Sequence, residues 1–415
     1  GQSGGGAFVL VYLLCIAFIG VPILVAEWMI GRRGQKNPIN TMAQLAAANG
    51  HSRNWAAVGA VGVLAAFLIL SFYSVIGGWA LSYMTDAAGG VFSGLDRDAV
   101  AGLFGDFLGR PDALFGWHTL FMALTTVIVA FGVAGGLERG SKLMMPALAM
   151  ILMVLVGYGT TTGSFGEALA YLFQPDLSRL NGTVVLAALG HAFFTLSLGM
   201  GIMMAYGSYL GEEVNLLRAA RTVVLMDTVF ALSAGLAIFP IVFSHGLDPA
   251  AGPGLVFVTL PIAFGNMGAG TTIGTLFFLL LSFAALTSSI SLLEPVVELL
   301  EERTPLNRVG AAVVAGATIW ALGIASILSF NLWSEVKFLG LNIFDLLDTL
   351  TSKFMLPLCG LGAVVFVGWK LRQDGVQREL KLGSGGFALW QLLARFVAPL
   401  GVLIVFAYGV WELLG

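Results

Sequence analysis

Residues 189–201 read LGHAFFTLSLGMG, a mid-span stretch that gathers Gly190, Gly199 and Gly201 around Thr195 and Ser197. Two readings of it are open. Small residues let membrane helices approach closely, so the stretch can be a packing face. Alternatively the helix is discontinuous, because backbone released from helical hydrogen bonds survives at membrane depth only where it lines a ligand cavity. Its carbonyls and half-helix ends, set beside small hydroxyls, would then hold a dehydrated alkali cation.

The surrounding chain explains why membrane depth is the relevant setting. Of 415 residues, 58% are apolar and 10% charged, against roughly 25% charged in an ordinary soluble domain. Apolar runs long enough to cross a bilayer recur along the whole length. Ten spans are predicted, at 6–30, 56–85, 115–136, 143–162, 183–206, 220–243, 271–300, 309–329, 340–369 and 387–411, forming one all-α polytopic membrane domain. A net charge of −3 gives no sign of a nucleic-acid partner. Cys15 and Cys359, the two cysteines, both lie in apolar runs and are expected to be packing residues.

Basic residues sort the loops. Loops 31–55, 137–142, 207–221, 301–308 and 370–386 hold fourteen of the twenty Lys and Arg, and the opposite set holds four. By the positive-inside rule the first set is cytoplasmic, in an inner or plasma membrane, which puts both ends of this chain outside. The chain opens on Gly1 with neither an initiator Met nor a charged leader region. Together these features lead to the expectation of one further helix upstream. The long outer loop 244–270 mixes Pro and Gly with apolar residues, and is expected to be a lid with short helices or an interfacial segment.

Several polar residues stand out against this background. Thr287, Ser288, Ser289 and Ser291 cluster in FAALTSSISLLEP. Each can simply bond back to a carbonyl one turn earlier. With the Ala284 carbonyl, however, Thr287 and Ser288 can present three oxygens to one side of a Na⁺, a hard cation that prefers oxygen. Asp227 lies between VVLM and TVFAL, where a carboxylate is costly and is either bonded to a neighbouring helix or a cation ligand. Asp348 can form a gate ion pair or end a helix at the surface. Tyr73 is too central in its span for an interface belt. His191 is a proton carrier or a packing residue, and Lys353 and Glu294 pair with buried charges or snorkel. No nucleophile elbow, phosphate loop or metal-spaced His/Cys cluster is present, so transport is favoured over catalysis and no organic cofactor is expected.

The stretches GGGAFVLVYLL, EWMIGRRG, FFTLSLGMG, GPGLVFVTLP and LTSSISLLEP resemble, in order, those of the neurotransmitter:sodium symporters, in particular their bacterial amino-acid transporters. The resemblance implies a 5+5 inverted-repeat fold lacking its first helix. Residues 6–162 would hold four helices of the first repeat, 183–369 the second repeat, and 387–411 a peripheral helix. It further implies sodium ligands at Thr195 and Asp227 for one ion and at Ala284, Thr287 and Ser288 for another. Asp227, with Ala231 one turn on, suggests a fixed negative charge in place of bound chloride. Tyr73 resembles the tyrosine that bonds the substrate carboxylate. Phe194, Ser197, Met200, Ser288 and Leu292, with Ile69, resemble a pocket for an apolar side chain, and Phe194 and Asp348 resemble the outer gate.

The function so implied is Na⁺-coupled amino-acid symport by alternating access. It belongs to the complete protein, since the chain as given is expected not to concentrate substrate. A proton-coupled or exchanging carrier of the same fold, and a non-transporting remnant, are the alternatives. Neither the particular amino acid nor any self-association is legible.

Overall fold

Hydrocarbon offers backbone amides no partners, so a chain this apolar must satisfy them within helices. The computed structural model, which describes residues 5–247 and 254–414, is all-α, with one isolated bridge between Phe338 and Leu341. In chain order the helices used below are α1 (Gly6–Gly34), α2 (Pro38–Ala48), α3 (Arg53–Ala88), α4 (Arg97–Leu108), α5 (Pro111–Ala130), α6 (Gly135–Gly159), α7 (Phe165–Phe173), α8 (Gly182–Thr195) and α9 (Ile202–Ser208). There follow α10 (Leu216–Ser244), α11 (Leu255–Gly265), α12 (Gly270–Arg303), α13 (Arg308–Leu328), α14 (Ile343–Lys370), α15 (Gln373–Leu380) and α16 (Ser384–Trp411). Among the described residues nine helices are long and apolar enough to cross a membrane: α1, α3, α5, α6, α10, α12, α13, α14 and α16.

The fifth expected span, 183–206, is not one helix. It divides into α8 and α9 around residues 196–201. Other boundaries move as well. The expected spans 115–136 and 143–162 become Pro111–Ala130 and Gly135–Gly159, because Gly132 at φ 84° ends α5 while the apolar run continues. Arg139 and Lys142 therefore sit on the first turns of α6 rather than in a loop, and Lys142 pairs one turn back with Glu138. Within α1 a wide turn at Ile16–Gly20 precedes Pro22, whose missing N–H removes a rung of the hydrogen-bond ladder.

Helices α3 and α12 pack along each other at the centre of the bundle. Two apolar clusters surround them. The larger joins Ile23, Met29, Ile69, Met200, Leu292 and Phe366; the second joins Trp79, Tyr83, Phe92, Phe257, Phe264 and Phe278. Peripheral helices carry their apolar residues outward: Leu225, Met226 and Val229 of α10 are exposed, as a lipid-facing surface requires. In the loop 244–270, α11 buries Phe257, Leu260, Ala263 and Phe264 in the second cluster. Its end is pinned by Gly94 N–H donating to the Gly265 carbonyl at 2.9 Å and by Asn266 Nδ2 donating to the Leu95 carbonyl at 3.1 Å. That segment carries a short helix, α11, and residues 248–253 of it lie outside the described residues.

Candidate functional site

Between α8 and α9 three residues in five adopt left-handed backbone: Ser197 at φ 53°, Gly199 at φ 75° and Gly201 at φ 70°. Left-handed geometry cannot continue a right-handed helix, and it is favourable only for glycine. Ser197 is thus the strained member. The choice of glycine at 199 is also steric, since a Cβ there would lie 2.1 Å from the Leu356 carbonyl oxygen of α14. The first half-helix, α8, closes on itself through Leu198 N–H to the Phe193 carbonyl at 2.9 Å. One amide of the break is satisfied from elsewhere: Gly199 N–H donates to Glu27 Oε1 of α1 at 2.8 Å. Glu27 is wholly buried, and its Oε2 has no hydrogen-bond partner among the described residues.

Thr195, the last residue of α8, donates its hydroxyl to Asp227 Oδ1 at 2.7 Å. The second carboxylate oxygen accepts from Tyr12 of α1 at 3.0 Å. Asp227 is therefore the helix-bonded residue of one reading and also faces the broken helix of the other. The two readings are compatible. A hydroxyl that gives its proton to a carboxylate turns its lone pairs elsewhere, which is the polarity a cation needs. Tyr12 is buried, and its ring lies 5.2 Å from that of His191, which also contacts Phe8 at 5.9 Å; His191 itself is exposed.

On α12 the hydroxyl cluster separates by face. Thr287 bonds back to the Ala284 carbonyl at 2.9 Å, which brings two of the three expected oxygens together. Ser288 is exposed although it sits at the middle of a 34-residue helix, and its hydroxyl interacts with the Tyr73 phenol. Ser289 turns the other way, fully buried, to share a 2.8 Å hydrogen bond with Thr125 of α5. Ser291 bonds back to the Thr287 carbonyl and accepts from Tyr206 at 2.6 Å. Among the described residues no group of three His, Cys, Asp or Glu could hold a metal ion. The oxygens available are hydroxyls, carbonyls and the Asp227 carboxylate, a donor set for a hard cation.

The residues expected to touch substrate fall into two groups. Tyr73, Phe194 and Ser197 keep accessible surface, whereas Ile69, Met200 and Leu292 are closed within the larger apolar cluster. The two residues expected at the gate come together: Phe194 and Asp348 line one cavity of about 460 Å³, with His191, Ser352 and Lys353. Lys353 is thereby placed beside Asp348. Glu294, wholly buried, is paired with Arg308 of α13 at 2.5 Å and accepts from Tyr209 at 2.9 Å.

Sequence reasoning passed over Glu27 and Tyr12. The rule that marked Asp227, an acid inside an apolar run, applies equally to Glu27 in VPILVAEWMI, and the rule that marked Tyr73 applies to Tyr12.

The model of the family described as "Sodium:neurotransmitter symporter family" matches residues 1–91 and 114–414. The chain is 38% identical over 410 residues to an uncharacterized sodium-dependent transporter, YhdH, of Bacillus subtilis, covering 98% of this chain and 90% of that protein. It is 35% identical over 415 residues to a sodium-dependent transporter of Haemophilus influenzae, covering 98% and 91%. The crystal structure of MhsT in complex with L-phenylalanine superposes with a TM-score of 0.90 at 44% identity, covering 99% of this chain and 92% of that one.

Proposed function

We propose that this chain, which belongs to the sodium:neurotransmitter symporter family, carries an amino acid with an apolar side chain as the cargo of its sodium-coupled transport. The family is one of membrane transporters and not of enzymes. The observation that carries the substrate reading is the broken helix at 196–201, whose non-helical backbone includes Ser197 and follows directly on Phe194 and the Thr195–Asp227 pair. The solved relative MhsT, bound to L-phenylalanine, supports an apolar side chain.

Two ion positions follow. Thr195 and Asp227 take one Na⁺, and Ala284, Thr287 and Ser288 present one face to a second. Both Na⁺ ions are cargo, and Asp227 supplies the fixed charge that a bound chloride would otherwise provide. Tyr73 and Ser288 meet the substrate near the second position, with Phe194 above it as a lid and Asp348 as part of the outer gate. Ile69, Met200 and Leu292 form the wall behind that pocket, and they gain exposure as the bundle around the break rearranges. Na⁺ favours the outward-open arrangement, substrate completes it, and the two repeats, with four helices of the first at 6–162, the second at 183–369 and 387–411 at the periphery, rock to release both. The basic loops face the cytoplasm.

A proton-coupled reading is favoured by one contact, His191 against Tyr12, which holds Asp227. The test is competition by a panel of unlabelled amino acids against labelled L-phenylalanine uptake, with Na⁺ replaced by choline at fixed pH in parallel. Competition by leucine, isoleucine and methionine but not by aspartate or lysine is expected. Competition by the charged amino acids alone would overturn the apolar assignment, and uptake unaffected by choline would move the ion reading to protons.

A further inference from the structure

At the end of the bundle that bears the basic loops, a cleft of about 870 Å³ opens between the end of α1, helix α15 and the turn after α9. Four of its ten lining residues are basic, Arg32, Arg33, Arg378 and Lys381, and two are acidic, Glu212 and Glu379. The floor carries unbalanced charge. Arg32 and Arg33 share a single carboxylate, Glu379, at 2.9 and 2.5 Å. Arg32, only 8% exposed, turns Nη1 to the Gly211 and Val214 carbonyls, so it is a structural tie between the two walls. Arg33 gives only Nε to Glu379, and its Nη1 and Nη2 atoms have no hydrogen bond among the described residues. They lie against Gly375, within 4 Å of where a Cβ there would stand. On the rim Arg378 and Lys381 are exposed and form no ion pair among the described residues. A planar guanidinium with two free N–H faces, backed by two further cations, is a receptor for a tetrahedral oxyanion.

The surroundings say where that anion comes from. Helix α15 joins α14 to α16, and beside it Trp369, Leu389 and Phe396 present exposed apolar surface, with the Arg395 guanidinium over the Trp369 ring at 5.3 Å. A tryptophan–arginine pair flanking lipid-facing residues marks the headgroup level of a bilayer. The cleft therefore opens where phosphates are held by lipid. We propose that it binds the phosphate of an anionic phospholipid headgroup in the adjoining leaflet, with Arg33 contacting the phosphate and Arg378 and Lys381 selecting negative charge. A bound headgroup would fasten α15 to the end of α1 and to the turn after α9, bracing the segment that leads out of the broken helix.

The test titrates the detergent-purified protein with short-chain phosphatidylglycerol, phosphatidylcholine and inorganic phosphate, reading bound lipid by native mass spectrometry and stability by thermal melting. Phosphatidylglycerol is expected to bind and raise the melting temperature, phosphatidylcholine to do neither, and inorganic phosphate to compete only weakly. A basic residue near an anionic surface contributes about fivefold, so Arg378→Gln with Lys381→Gln should weaken phosphatidylglycerol binding by about 30-fold. Both side chains are exposed, so the fold is not at stake. Arg218→Gln with Arg221→Gln removes equal charge from the same end of the bundle and should change binding less than twofold. Equal binding of the two lipids, equal loss in the two double variants, or inorganic phosphate matching the lipid would each overturn the assignment.

Discussion

Replacing Asp227 by Asn removes one charge and little else. The carboxylate accepts from Thr195 at 2.7 Å and from Tyr12 at 3.0 Å, and an amide of the same shape can bond to both hydroxyls, which are able to donate or accept. A cation held by the outward lone pairs of Thr195 would lie about 4 Å from the Asp227 charge, where an effective dielectric of about 20 gives an attraction of about 4 kcal/mol. The retained amide dipole recovers part of this, so the Na⁺ concentration for half-maximal uptake should rise by about 100-fold to 1000-fold, at roughly 1.4 kcal/mol per factor of ten. Radioactive sodium binding to the purified variant reads the same quantity without transport, and thermal melting establishes that the fold is kept. A half-saturating Na⁺ concentration within twofold of the parent, with melting unchanged, would show that Asp227 is a helix-to-helix tie and not an ion ligand.

Other changes separate the remaining parts. Thr287→Val keeps shape but removes the hydroxyl beside the Ala284 carbonyl, and the loss of one ligand worth about 1–2 kcal/mol should raise the Na⁺ requirement by about 5-fold to 30-fold in a sodium titration of uptake. Gly199→Ala combines left-handed strain of about 1–2 kcal/mol with a Cβ 2.1 Å from the Leu356 oxygen, so a lower melting temperature and lost uptake are expected. Arg308→Gln leaves Glu294 buried without its cation, a change that typically costs about 3–5 kcal/mol, and should show as a large fall in melting temperature that Glu294→Gln in the same chain partly reverses. If, as proposed, Asp227 supplies the negative charge, wild-type uptake should be the same in chloride and gluconate; a chloride requirement would exclude that role.

The membrane helices were legible because lipid leaves the backbone no alternative to helix, so hydrophobic length alone places them. The break at 196–201 was half legible. Its glycines and hydroxyls were evident, but whether they served close packing or unwinding depended on a neighbour, and the structure answers with the Leu356 carbonyl pressed on Gly199 and Glu27 bonded to its amide. Glu27 and Gly199 are 172 residues apart and Tyr12 and Asp227 are 215 apart, distances at which no local pattern links partners. The hydroxyl run on α12 shows the complementary limit. Four hydroxyl residues within five positions looked like one cluster, yet successive helical positions point about 100° apart, and Ser289 faces Thr125 while Ser288 is open. Helix ends shifted for an equally local reason, as with Gly132, where one backbone dihedral outweighs a continuing apolar run.

On the proposed reading, sodium coupling rests on ion and substrate meeting at the same broken helix, and uptake of labelled L-phenylalanine by the full-length protein in proteoliposomes, driven by an inward Na⁺ gradient and repeated with choline in place of Na⁺, decides it. Accumulation above the outside concentration with Na⁺, collapsing to the level of empty liposomes in choline, is predicted. Accumulation that persists in choline and follows an imposed proton gradient instead would place the coupling at His191 and Asp227 and remove sodium from the mechanism.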